Sequence, residues 1–171
     1  RPDAAQKLTY CIDELGFTGL KLHPLEQHYD IETPGLLDPL MEVCAKRHLH
    51  TIIHCTSGVP DCTPEKLERL ANRYPAATFQ LAHTGAIYAG NPSIAAAART
   101  PNLYLDTGIA STNCIRRAVL AVPEKVIMGC DWPSYSFEQE LLKCRTACEL
   151  VERPSCYDGL VGGNIARVLG L

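Results

Sequence analysis

The chain has 171 residues, 46% of them hydrophobic and 20% charged, with a formal net charge of −3. That is one domain's worth, long enough for a real core. The mildly acidic balance and the lack of any Lys/Arg-rich run exclude a basic nucleic-acid-binding face, and no apolar stretch approaches the roughly 20 residues that span a bilayer.

The opening segment, RPDAAQKLTY, has neither an initiating Met nor a signal-peptide pattern, and it reads as the interior of a longer protein. From there, strand and helix signals alternate. FTGLKLH (17–23) is a short apolar run, followed by the helical stretch GLLDPLMEVCAKRH. LHTIIHC (49–55) precedes TPEKLERLANRY, where Thr63 stands as an N-cap before Pro64 and Glu65. ATFQLAH (77–83) precedes PSIAAAART, and NLYLDTG (102–108) precedes TNCIRRAVLA. KVIMGCD (125–131) leads to SFEQELLKCRTACELVE, and NIARVLG closes the chain after Gly162 and Gly163. Successive β-α units of this length predict a parallel sheet with helical crossovers, an α/β fold. We read residues 1–171 as one domain without a linker or low-complexity segment.

The ends of the five runs are chemically distinctive. They finish at His23, His54, His83, Asp106 and Asp131. Parallel strands point one way, so these groups should gather at one mouth of the sheet, where α/β folds place their active sites. Alternation puts Ile52 with His54, Phe79 and Leu81 with His83, and Ile127 and Gly129 with Asp131, so the inward face should be built from Ile52, Leu81 and Ile127. Gly129 should leave room beneath Asp131 for a bound group. Neutral imidazoles mixed with carboxylates suit a divalent metal and its water.

Each of these residues also has an ordinary reading. A His that ends a strand often caps or packs, and an Asp there is usually a turn residue or N-cap. For Asp106, followed by Thr107 and Gly108, the turn reading is the better one. Tyr104 shares its face and either lines a pocket or packs. His23, before Pro24, either shapes the loop or touches substrate.

Other signals are excluded by geometry or number. His48 and His50 have a zinc-like spacing, but they begin the strand that His54 ends. His50 is then roughly 13 Å from His54, whereas two ligands of one zinc sit only about 4 Å apart. Both are read as structural or solvated at the far end. The nine cysteines are odd in number and lack a CxxC pair. Cys44, Cys55 and Cys130 lie in apolar segments, where free Cys packs as a small hydrophobe. Cys144 and Cys148 are one helical turn apart, but no second pair stands near them. The cysteines argue for a reducing cytoplasm.

GFTGLKLHP, IIHC, LAHTG, NLYLDTG, VIMGCDWP and the terminal NIARVLGL, taken in order, resemble the amidohydrolase-related family of metal-dependent TIM-barrel hydrolases, which includes non-oxidative decarboxylases. The resemblance runs from about residue 16 to the C-terminus. It implies a partial (β/α)8 TIM barrel, with parallel strands corresponding to strands four to eight and their helices. It matches His54 to the family's metal-binding His, His83 to its catalytic His, and Asp131 to its metal-associated Asp. Lys21 matches the Lys of the family's KxHP element. Lys21, His23, Tyr104 and Trp132 are the expected substrate contacts. The family's HxH pair, on its first strand, has no counterpart here, and Cys130 replaces the more usual Ser or Thr.

The activity implied is metal-dependent hydrolysis of a small carboxylate, amide or ester. A divalent ion, zinc foremost, would be held by His54 and Asp131, with His83 moving protons and Asp131 also able to orient the water. Non-oxidative decarboxylation of an unsaturated or aromatic acid is the alternative, since the same groups serve both. A truncated, non-catalytic or partner-complemented subunit is the reading from another class. The expected partners are a small-molecule substrate, neither nucleic acid nor membrane, and either a second copy or a complementary N-terminal segment.

Overall fold

Five short apolar runs pair side by side as parallel strands, each followed by helix. The computed structural model describes residues 2–56, 60–85 and 91–171. Helix α1 (Ala4–Asp13) leads to β1 (Gly19–Leu22), the single turn α2 (Pro24–Gln27) and α3 (Asp38–Lys46). Then come β2 (His50–Thr56), α4 (Pro64–Arg73), β3 (Thr78–Gly85), α5 (Asn91–Arg99), β4 (Leu103–Asp106) and α6 (Thr112–Ala121). The strand β5 (Val126–Ile127) and helices α7 (Phe137–Leu150) and α8 (Asn164–Leu169) complete the chain. The sheet order is β1-β2-β3-β4-β5, with every pairing parallel. This is the α/β architecture of a partial (β/α)8 barrel.

The helices begin where their sequences say they should. Thr63 accepts a hydrogen bond from the Lys66 N–H, Ser111 from that of Cys114, and Ser136 with Gln139 forms a full capping box. In the terminal motif, the buried Asn164 side chain donates to the carbonyls of Pro123 (2.8 Å) and Val126 (2.7 Å), tying α8 to the start of β5. Among the described residues, no helix is long and apolar enough to cross a membrane.

Register divides the sheet into two faces. Ile53 pairs with Leu81, Leu81 with Leu105, and Leu105 with Val126. These residues, with Phe79 and Leu103, pack in one buried cluster with Leu67 and Leu70 of α4, Ala96 and Ala97 of α5, and Ile115 and Val119 of α6. That side faces the helices, and each fully buried Leu, Ile or Phe there contributes about 1.5–3 kcal/mol. The inner side carries Lys21, Ile52, His54, Gln80, Tyr104, Asp106 and Ile127 in register.

Three expectations are corrected by this arrangement. Phe79 and Leu81 lie on the helix side, so Leu81 is not part of the inward face. His83 reaches the inner side because left-handed backbone at His83 (φ 69°) and Thr84 (φ 44°) breaks the alternation. The last strand is two residues long rather than seven. Met128 N–H leaves the ladder for the Leu160 carbonyl (2.9 Å), and the Thr107 hydroxyl accepts the Gly129 N–H (3.2 Å) in its place.

Candidate active site

Three histidines meet at the C-terminal ends of the strands. The Nε2 atom of His83 is 3.1 Å from Nδ1 of His54, with the two rings edge to face. His23 lies flat on the other side of His54, ring centroids 3.9 Å apart. Local chemistry holds each ring. His23 caps α2, its Nδ1 accepting from the Glu26 N–H at 3.2 Å. The Gly108 carbonyl is 3.1 Å from Nδ1 of His83. A carbonyl only accepts, so this nitrogen carries a proton, and in the neutral ring Nε2 holds the lone pair.

Burial and neighbouring charge set the electrostatics. Desolvation, then the proximity of His23, His83 and Lys21, pushes the His54 pKa down to about 4, against the opposing pull of Asp131. His54 is therefore neutral at pH 7. His23 is lowered by desolvation and by Lys21. Lys21 reaches solvent, but desolvation by the walls around it lowers its pKa, opposed by Asp106 and Asp131.

The remaining expected residues are less tightly gathered. Asp131 is exposed at the rim, in left-handed conformation (φ 53°), its Oδ2 accepting from the Ser134 hydroxyl at 3.2 Å. It bears on His54 and Lys21 through its field. Tyr104 is half-buried on the inner face, paired in register with Gln80 and two residues before Asp106, and Trp132 is 76% exposed. His48 and His50 lie at the opposite ends of their strand from His54: His48 is exposed beside the Ala76 carbonyl, and His50 is buried. Cys144 and Cys148 are buried free thiols packed in the core.

Below the histidines lies a layer that sequence reasoning assigned only in part. Asp106 does make the expected turn, its Oδ1 accepting the Gly108 N–H at 2.8 Å. It is also buried, and it accepts from the His83 N–H (3.3 Å) and the Gln80 amide (2.7 Å). Desolvation raises its pKa, while the bonds from His83, Gly108 and Gln80 oppose the rise. The space that Gly129 leaves open is filled by this carboxylate and not by a bound group, since a Cβ there would collide with Asp106 Oδ2. Thr107 connects the layer to α7 by donating to Glu140 Oε2 at 3.2 Å. Glu140 is fully buried, its pKa raised by desolvation and held back by Lys143. The available signal for Gln80 was one amide in the middle of an otherwise apolar strand, TFQLAH.

No curated protein matches the sequence. A TIM-barrel protein of Bordetella bronchiseptica, described as uncharacterised, superimposes with a TM-score of 0.78 at 20% identity, covering 99% of this chain and 62% of that one. The 5-carboxyvanillate decarboxylase of Sphingomonas paucimobilis gives 0.71 at 19%, covering 98% and 63%. A probable 2-pyrone-4,6-dicarboxylic acid hydrolase of Acinetobacter baumannii gives 0.67 at 14%, covering 98% and 69%. The chain thus spans less than two thirds of the first two barrels, and at these identities the likeness is one of fold. The family model described as Amidohydrolase matches residues 1–171, the full length of the sequence, and the chain belongs to that family.

Proposed function

We propose that this chain forms the greater part of a metal-dependent hydrolase for a small carboxylate, amide or ester. The observation that carries the reading is the pairing of His83 Nε2 with His54 Nδ1 at 3.1 Å, at the C-terminal ends of parallel strands. The decarboxylase and hydrolase among the structural relatives carry comparable barrels.

The donor set fits a divalent ion in its chemistry. Neutral imidazole and carboxylate are suitable ligands, and His54, with a pKa near 4, holds no proton that a metal would have to displace at pH 7. Among the described residues no group of three His, Cys, Asp or Glu side chains gathers to hold a metal. His54 and Asp131 would thus hold the ion together with ligands from outside the described residues. A bound divalent ion, zinc foremost, supplies an acidified water and polarises a carbonyl.

The chain's own residues do the rest. His83 accepts or returns a proton at Nε2, as general base towards water or general acid towards a leaving group. Lys21 attracts the substrate carboxylate. His23, Tyr104 and Trp132 form the walls against which the substrate rests, and Asp131 orients its polar groups. All nine cysteines are free thiols, which suits a reducing cytoplasm.

The test is turnover of a panel of small acids, amides and esters with zinc added, reading hydrolysis and carbon dioxide release separately. Hydrolysis that falls by about 10²- to 10⁴-fold in His83→Ala supports the proposal. Carbon dioxide release without hydrolysis replaces it with a decarboxylase, and no turnover of either kind supports a non-catalytic subunit.

A further inference from the structure

Hydrogen-bond direction can be followed along the inner side of the sheet, from Asp106 outward. A carboxylate oxygen that faces an N–H accepts. Three N–H groups converge on Asp106: those of Gly108 and His83 on Oδ1, and the Gln80 amide on Oδ2. With its NH2 given to Asp106, Gln80 turns its Oε1 to His50, 2.7 Å from Nε2. An amide oxygen cannot donate, so Nε2 of His50 carries the proton. The Nδ1 of His50, buried and without a hydrogen-bond partner among the described residues, is then the lone-pair nitrogen.

At the other end the same logic reaches His83. Asp106 Oδ1 holds the backbone N–H of Gly108 and that of His83 together. The Gly108 carbonyl is thereby kept where it captures the Nδ1 proton of His83. The Nε2 lone pair is left facing His54.

We infer that Asp106 is a positioning residue whose two oxygens fix the ring states of two histidines, His83 at the mouth through Gly108 and His50 at the floor through Gln80. Its catalytic consequence rests on the proton-moving role proposed for His83, because the opposite tautomer would present an N–H where a base is needed. The bonding itself does not depend on that role.

Asp106→Asn separates the two limbs. The Asn keeps an oxygen for Gly108 and His83 but sets an NH2 against the NH2 of Gln80. Gln80 relieves the clash by turning over, giving its oxygen to the Asn and its NH2 to His50, whose Nε2 must then accept. Long-range proton–nitrogen NMR of the histidine rings in the full chain reads this directly. The expected result is that the His50 proton moves from Nε2 to Nδ1 while His83 stays protonated at Nδ1. Adding Gln80→Glu, whose carboxylate accepts from both neighbours, should return the His50 proton to Nε2. An unchanged His50 in Asp106→Asn, or a change at both histidines, overturns the inference. Should the variant not fold, the unsubstituted chain decides: His83 protonated at Nδ1 and His50 at Nε2 support the assignment, and the opposite state of either ring overturns it. No assay of turnover or metal enters, so this result and the hydrolase proposal can fail separately.

Discussion

Gly129 and Asp106 share one space: a Cβ on the glycine would collide with the Oδ2 of the buried carboxylate. The Asp106 side chain cannot retreat without giving up N–H groups from His83, Gly108 and Gln80. Gly129→Ala should therefore destabilise the fold by about 1–3 kcal/mol, the usual cost of overpacking a filled site. Urea unfolding measures it, and a midpoint equal to that of the unsubstituted chain would show that the layer yields freely.

Acid should weaken the metal-free protein well before ordinary carboxylates titrate. The pKa values of His23, His50 and His54 are all lowered, first by desolvation. The unfolded chain thus takes up protons near the ordinary histidine value, about 6.5, while the folded chain resists. Stability is complete above that value and falls as pH drops from there towards the folded value, about 4 for His54. His54→Gln should flatten the decline over that interval. An unfolding midpoint that stays constant from pH 7 to pH 5 would contradict the burial assigned to these rings.

Two edges remain on the sheet of described residues, at β1 and β5. Exposed Leu15 and Phe17 precede the first, and exposed Trp132 and Phe137 follow the last. Unpaired edges beside apolar side chains recruit further chain. We expect self-association at micromolar concentration, or capture of a complementary β/α segment. Sedimentation that finds a stable, cooperatively unfolding monomer of 18.7 kDa would refute this.

Much of the architecture was legible because α/β units announce themselves through apolar runs and capped helices. The cap at Thr63 and the alternation of strand with helix follow directly from the sequence. Helix α1 is not among the predicted elements, since its short segment has no side-chain cap to announce it. The faces of β3 were misread for a local reason: period-two alternation assumes extended backbone, and His83 and Thr84 leave it. Strand direction places His54 and His83 at one end of the sheet, and the left-handed backbone at His83 and Thr84 brings the two rings onto one face. The network of Gln80, Asp106 and His50 does not follow from strand direction, because register decides which residues of separate strands touch, and one sequence does not print register.

The central claim is that His54 holds a metal while His83 moves protons beside it. Calorimetric titration of zinc into the unsubstituted protein, His54→Ala and His83→Ala, each supplied with the segment that completes the barrel, tests this most directly. The account predicts that His54→Ala loses more than about tenfold in zinc affinity, at least what loss of an outer-sphere partner costs, and that His83→Ala binds zinc as the unsubstituted protein does. Zinc binding to His54→Ala with undiminished affinity would contradict it.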